Sequence, residues 1–330
     1  SDAMLMLHHL AIDWKAGTVD RKETIFLSDP EMKAPFPITL EGTDTRYLTG
    51  ADFDVESIQP VADGFWVGEE FGPYLLKFDT AGRLQSVHAT KVGETKVMSP
   101  DNALVKLPDN PTKPMPAINV KRSGGFEGLA LSPDGTRLYG LLEGALYTEG
   151  KTATTEDGRT GLEIIEFDVA KGDWTGRSWL YPLAPGGEAI GDFNMISATE
   201  GLVIERDNGA GRPADACKGE PAADCFATPA KLKRITKIEL TDANAGKAAR
   251  KIGYIDLLAI KDPNGLAKQG GKDGVYDMPF VTIENVDRVD DTHIIVGNDN
   301  NFPFSAGRNL NKVDDNEFVL LEVGDFLKAE

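Results

Sequence analysis

The stretch Phe126 to Glu143, FEGLALSPDGTRLYGLLE, reads as two short strands around a tight turn. Gly128–Leu131 is one apolar run and Leu138–Leu142 the other. Between them, Ser132-Pro133-Asp134-Gly135 is turn chemistry, because Pro presets φ and Gly accepts positive φ. Glu127 opens the first strand and Glu143 closes the second, so an antiparallel hairpin sets the two acids side by side at one end. The plan recurs three times. Glu56 leads through Ala62-Asp63-Gly64 to Glu69. Asp192 leads through Ala198-Thr199-Glu200-Gly201 to Glu205. Glu284 leads through Asp290-Asp291 to Asp299.

Outward from these hairpins, further strands follow each pair: Tyr74–Phe78 and Arg83–Thr90, then Leu162–Phe167 and Arg177–Tyr181, then Ile235–Leu240 and Lys251–Ile255, and finally Phe318–Val323 alone. Turn signals separate them, and no 3.6-residue periodicity is sustained. The spacing predicts an all-β chain, a β-propeller of four-stranded blades, five or six in number. A β-sandwich is the structural alternative. The units are longer than a typical blade of about 45 residues, so long loops or a further blade fill the difference. The N-terminal pair of strands resembles the third and fourth strands of a unit, and the last unit lacks its fourth. A ring closed by pairing an N-terminal strand with the last unit would use both.

Residues 1–330 are expected to form one domain, with 207–231 as an inserted loop, 241–250 as one helical turn, 260–277 as loop and a strand over Val281–Val286. Ser1-Asp2-Ala3-Met4 reads as a tag remnant, so a signal peptide is taken to have been removed. Cys217 and Cys225 share the inserted loop. A local disulfide there would suit an oxidising compartment, and two free thiols are the alternative.

The net charge of −18 argues against nucleic acid, whose phosphates require Lys and Arg, and against an anionic membrane surface. It suits a protein that binds cations, or a solvated acidic surface. No apolar run approaches the roughly 20 residues needed to span a bilayer.

In a propeller, acids that open the first strand and close the second gather at one mouth of the central channel. Glu56, Glu69, Glu127, Glu143, Asp192, Glu205, Glu284 and Asp299 would then share a funnel. So many carboxylates cannot all ionise together without counterions. Calcium suits them, since it takes six to eight oxygen ligands in flexible geometry. Nearby amides, among them Asn300, add oxygens. Zinc is disfavoured, because His8, His9, His88 and His293 are scattered and thiolates are absent from these stretches. For each acid alone, a solvated residue at a strand end is the plain alternative. The expected metal ligands are Glu56, Glu69, Glu127, Glu284, Asp299 and Asn300. The expected catalytic groups are Glu70, Glu143 and Glu205, with Arg206 placed to fork onto a phosphate or carboxylate or to pair with its acidic neighbours. No GxSxG, Walker loop or dinucleotide fingerprint occurs. Metal-activated water with a carboxylate base is the economical chemistry.

The segments GADFDVESIQPVADGFWVGEEFGPYLLKFDTAGRL, GGFEGLALSPDGTRLYGLLEGAL, LVIERDNGAG and GNDNNFPFSAGR with DDNEFVLLEV together resemble the bacterial "esterase-like activity of phytase" (phytase-like) domain family, from about residue 45 to the end. The resemblance implies an exported β-propeller, periplasmic or extracellular, whose recurring acids carry a phosphoric-ester hydrolase activity. The matching positions are Glu56, Glu69, Glu127, Glu143, Glu205, Glu284 and Asp299. A calcium-dependent phosphoric-ester hydrolase is the first reading, acting as a monomer on a small-molecule ester without nucleic acid or membrane insertion. A calcium-dependent lactonase, similar to gluconolactonases, and a non-catalytic binding propeller with a structural metal are the alternatives.

Overall fold

The four hairpins read from the sequence are the first two strands of four antiparallel sheets. The computed structural model describes residues 2–110 and 112–330. A hairpin of β1 (Met6–Asp13) and β2 (Thr18–Phe26) precedes them. Strands β3 (Val55–Val61), β4 (Gly64–Glu69), β5 (Tyr74–Asp79) and β6 (Leu84–Ala89) pair in chain order. A two-residue hairpin, β7 (Lys91–Val92) with β8 (Thr95–Lys96), decorates the next connection. The second sheet runs β9 (Phe126–Leu131), β10 (Arg137–Leu142), β13 (Gly161–Asp168) and β14 (Asp173–Pro182), interrupted in sequence by the short pair β11 (Tyr147–Thr148) and β12 (Lys151–Thr152). The third runs β15 (Ala189–Met195), β16 (Glu200–Arg206), β17 (Lys233–Glu239) and β18 (Arg250–Asp256).

Two stretches differ from the sequence reading. The connection expected to be loop over 260–277 carries three two-residue strands, β19 (Ile260–Lys261), β20 (Gly271–Lys272) and β21 (Val275–Tyr276). The fourth sheet has three strands, β22 (Asn285–Arg288), β23 (His293–Gly297) and β24 (Phe318–Glu322), and β22 starts later than the expected Val281. One reason is that the Val281 carbonyl accepts the buried Lys233 ammonium at 2.9 Å. The expected helical turn is the 3-10 turn Asp242–Asn244, and a short helix α1 (Gly324–Lys328) ends the chain. Cys217 and Cys225 are disulfide-bonded in the inserted loop. β1 pairs with β2, and Ser28 just beyond β2 bridges to Tyr47 and Arg83. β24 pairs with β23 among the described residues.

Residue contacts group the chain into two compact units: 1–131, 135–153 and 163–178 form one, and 132–134, 154–162 and 179–330 the other. In the first, the first two sheets bury a shared aromatic layer. Phe126 stacks on Trp174 at 5.7 Å between centroids, and Phe167 meets Trp174 edge-on at 5.1 Å and Trp66 at 5.4 Å. Phe126 is fully buried, and glycine makes the room. A Cβ on Gly140 would sit 2.4 Å from the Phe126 ring, and one on Gly68 2.8 Å from its Cβ. In the second unit, Leu202, Ile204, Ile235, Phe280, Ile283, Val286 and Ile294 form the equivalent core.

Each unit also ties one inner strand to the next through a polar side chain at one register. A β-bulge interrupts β3 between Val55 and Ser57, and β15 between Ile190 and Asp192. The third residue after each bulge reaches the following sheet: the Gln59 amide donates to the Leu129 carbonyl at 2.6 Å, and the Asn194 amide to the Val286 carbonyl at 2.8 Å. Replacing Asn194 by Leu keeps the branched shape but leaves that carbonyl without its donor. The expected cost is about 1–3 kcal/mol, read as a lower midpoint of chemical denaturation.

Candidate functional site

The open end of the β3–β4 hairpin concentrates charge. Asp54 precedes β3, Glu56 is the residue squeezed out by its bulge, and Glu70 follows β4. The Glu70 N–H donates to the Asp54 carbonyl at 2.9 Å, which holds the two strand ends together. One carboxylate oxygen from each of Asp54, Glu56 and Glu70 lies within 4.8 Å of the others, the one such group of three among the described residues. Glu56 is exposed and Asp54 half-buried, whereas Glu70 is only 5% exposed. The Glu70 Oε1 atom is buried and accepts no hydrogen bond.

Burial pushes the Glu70 carboxyl up to about 8, helped by the charges of Glu143 and Asp54 and opposed by Lys121 and the Gly125 N–H. Burial also raises Asp54, with Asp101 adding to the effect. The segment 120–125 lies directly over the cluster because Gly125 has no side chain. A Cβ there would stand 2.4 Å from the Glu70 Cα. On that segment Lys121 pairs with Glu143 at 2.6 Å, and Arg122 pairs with Asp101.

Strand pairing revises the register of the acids. Val55 faces Glu69, Phe126 faces Leu142 and Ile190 faces Glu205. Glu69 and Glu205 therefore share one position, and Glu70, Glu143 and Arg206 the next. Glu56 and Glu127 both occupy bulges, but the bulged residue of the third sheet is Gly191, with Asp192 one place on. The repeated acids do not share a single register, as the hairpin plan implied. A bulge inserts one residue into one strand only, and sequence spacing does not show it.

Glu69 faces its own loop. It is fully buried, and its carboxylate accepts the N–H groups of Gly72 and Tyr74 at 2.7 Å and of Phe71 at 2.9 Å. That brace of the β4–β5 turn leaves a poor metal ligand. Glu205, expected to be catalytic, is enclosed as well. It accepts the Tyr181 hydroxyl at 2.7 Å, Arg234 at 2.8 Å, Lys251 at 2.9 Å and the Ala184 N–H. Burial pushes its carboxyl up, but Lys251, the Ala184 N–H and Arg234 more than offset this and hold it below the usual range. A carboxylate so compensated is a weak base. Arg206 is 7% exposed and donates to the Asn208 side chain in its own loop at 2.8 Å.

Asp192 accepts the Val286 N–H at 2.8 Å, which makes it a tie between strands. Glu127 is buried at its bulge. Glu284 donates its N–H to the Gly297 carbonyl at 3.1 Å. The Asp299 carbonyl accepts the Thr282 hydroxyl at 3.0 Å. The Asn300 side chain bonds the Asp314 carbonyl and the Phe302 N–H at 3.0 and 3.1 Å. Of the expected site residues, Glu56 and Glu70 therefore meet, with Glu143 close enough to raise Glu70. Asp54, Asp101, Lys121 and Arg122 were not singled out from sequence. Asp54 stands two residues before Glu56, a spacing that could have marked it. Asp101 and the Lys121-Arg122 pair lie in or near a Pro-rich loop with no local signal.

The Glu70 carboxyl takes up a proton on folding, because it titrates near 8 in the folded chain against 4.5 unperturbed. Its contribution to the cation-free chain is therefore greatest at low pH and is lost as pH rises from about 4.5 to about 8. Glu70→Gln should flatten the decline in denaturant midpoint between about pH 5 and pH 8. Some slope should remain, since burial also raises Glu69 and Asp192. By contrast, Glu69→Gln should cost about 1–3 kcal/mol of stability, read as a lower midpoint, because it replaces one of the two side-chain oxygens that accept backbone N–H groups.

The chain is similar to several known proteins. A protein of Arthroderma benhamiae titled "Uncharacterized secreted protein" is 33% identical over 129 residues, which covers 36% of this chain and 24% of the relative's own length. Among solved structures, hydrazine synthase of Kuenenia stuttgartiensis aligns at 11% identity with a TM-score of 0.31, covering 88% of this chain and 76% of that one. The RRP9 WD40 repeats align at 9% identity with a TM-score of 0.23, covering 82% and 94%. Residues 1–302 match the Phytase-like family, described as "Esterase-like activity of phytase", and the chain belongs to that family.

Proposed function

We propose that this chain is a hydrolase of phosphoric esters that works with calcium held at Asp54, Glu56 and Glu70. Family membership supports the reaction class. The observation that carries the cation is the buried Glu70 Oε1, which has no hydrogen-bond partner and sits in a cluster of three carboxylates. An ionised carboxylate in that position needs a counterion. The donor set is all oxygen, and a spread of 4.8 Å suits ligands around an ion with bonds of about 2.3–2.6 Å. Bound there, calcium would neutralise phosphoryl charge and acidify a water. Glu70 moves in this reading from catalytic group to ligand. Glu143, whose charge is felt at Glu70, is the carboxylate placed to accept the proton of an attacking water.

The wider reading follows the same supports. The successive antiparallel sheets suit a β-propeller of five or six blades in one domain. The disulfide suits an oxidising compartment and the relative is titled as secreted, so we place the protein outside the cytoplasm, in the periplasm or beyond. No helix among the described residues is long and apolar enough to cross a membrane.

Calorimetric titration of chelator-stripped protein with calcium tests the proposal, followed by a panel of phosphate monoesters and lactones. Wild type should bind calcium and release phosphate. Glu70→Gln should weaken calcium about tenfold or more, a loss of about 1.4 kcal/mol or above, while Glu205→Gln leaves it unchanged. Lactone opening without phosphate release would favour the lactonase alternative. Absence of calcium binding by wild type would remove the metal-assisted reading.

A further inference from the structure

Two cations stand at the edge of the carboxylate cluster. Lys121 and Arg122 are adjacent, with side chains 55% and 72% exposed, whereas their partners Glu143 and Asp101 are 13% and 12% exposed. The charges are therefore layered, with acids inside and cations outside. The local backbone holds this arrangement. Ser123 adopts φ +43, which turns the chain sharply, and Gly124 packs at 3.2 Å, counted from where a Cβ would stand, against the Gly144 Cα. Gly125 then lies on the Glu70 backbone. Lys121 is near enough to Glu70 for its charge to be felt there. Asp101 Oδ2 is buried without a hydrogen-bond partner, and Arg122 supplies the counter-charge through Oδ1.

A chain of net charge −18 repels phosphate at long range. An anion reaching this cluster needs cations at the entrance, and a phosphoryl group on a hard cation still has oxygens to be bound. A guanidinium offers a planar fork to two of them, and an ammonium offers a mobile point charge. Arg206, the arginine expected from sequence to serve this purpose, is buried and bonded within its own loop.

We propose that Lys121 and Arg122 are the phosphate-binding residues of this site: their exposed ends leave Glu143 and Asp101 to grip the non-bridging oxygens of a phosphoryl group brought to Asp54, Glu56 and Glu70. The assignment rests on the cation site proposed above and names the part of it that selects phosphoric over neutral esters.

The test is calorimetric titration with inorganic phosphate, with and without saturating calcium. It compares wild type, Lys121→Met, Arg122→Gln, Arg122→Lys and the double variant, with Lys113→Met, at an exposed lysine paired to Asp109, as a surface-charge control. Both target side chains are exposed, and each variant's denaturation midpoint is read to confirm folding. Each single substitution should weaken phosphate about tenfold, and the double variant should abolish measurable binding. Arg122→Lys should fall between, keeping charge but losing the fork, and calcium affinity should be unchanged or slightly tighter. Unchanged phosphate affinity in the double variant overturns the assignment, as does a wild type that takes up no phosphate under either condition. Calcium binding that survives such a result leaves the cation site standing. Loss of calcium binding in wild type sinks the cation site separately.

Discussion

The seat of Phe126 governs how closely the first two sheets approach, and the candidate site depends on that approach. Its ring stacks on Trp174 and rests where a side chain on Gly140 would collide with it, and a side chain on Gly68 would collide with its Cβ. Gly140 belongs to the strand beside Phe126, and Gly68 to the neighbouring sheet. Close-packed interiors transmit such contacts with little slack. The residue before Phe126 is Gly125, which lies against the backbone of Glu70. An aromatic ring in the core thus sets the height at which the loop bearing Lys121 and Arg122 crosses the acids.

Glu69 and Glu70 show how one residue of register separates structure from chemistry. Both are buried, and burial pushes both carboxyls up to about 8. Glu69 spends its oxygens on three backbone N–H groups of the turn that follows. Glu70, on the opposite side of the strand end, keeps one buried oxygen without any donor and faces two further carboxylates. A buried charge without a partner is expensive, so a chain that retains one gains from whatever binds there. Glu205 repeats the solution of Glu69 by other means, with a hydroxyl, a guanidinium, an ammonium and a backbone N–H around one carboxylate.

The four hairpins were legible because their signals are local. Pro-Asp-Gly and Asp-Gly turns between apolar runs specify antiparallel pairing within about ten residues, and the disulfide joins two cysteines of one loop. The candidate site was legible in part. Glu56 and Glu70 lie on one such hairpin, and the sequence places both near its open end. The bulges at Glu56 and Glu127 were not visible, because a bulge is set by how two strands pair and not by the composition of either. The equation of Glu143 with Glu69, instead of Glu70, follows from that omission.

The chain's order of apolar runs, turns and acids was enough to specify an all-β protein built from successive antiparallel hairpins, since strand period and turn geometry act over a few residues. Which acids meet was decided in three dimensions. Asp101 and Lys121-Arg122 come to Glu70 across some 30 and 50 residues of chain. They arrive there because two sheets pack through Phe126 and because Gly125 leaves room for one backbone to lie on another. Burial, too, belongs to the tertiary structure. The same side chain is a solvated acid or a strained one according to what covers it, and for Glu69, Glu70 and Glu205 that cover comes from packing and from partners that strand spacing alone does not name.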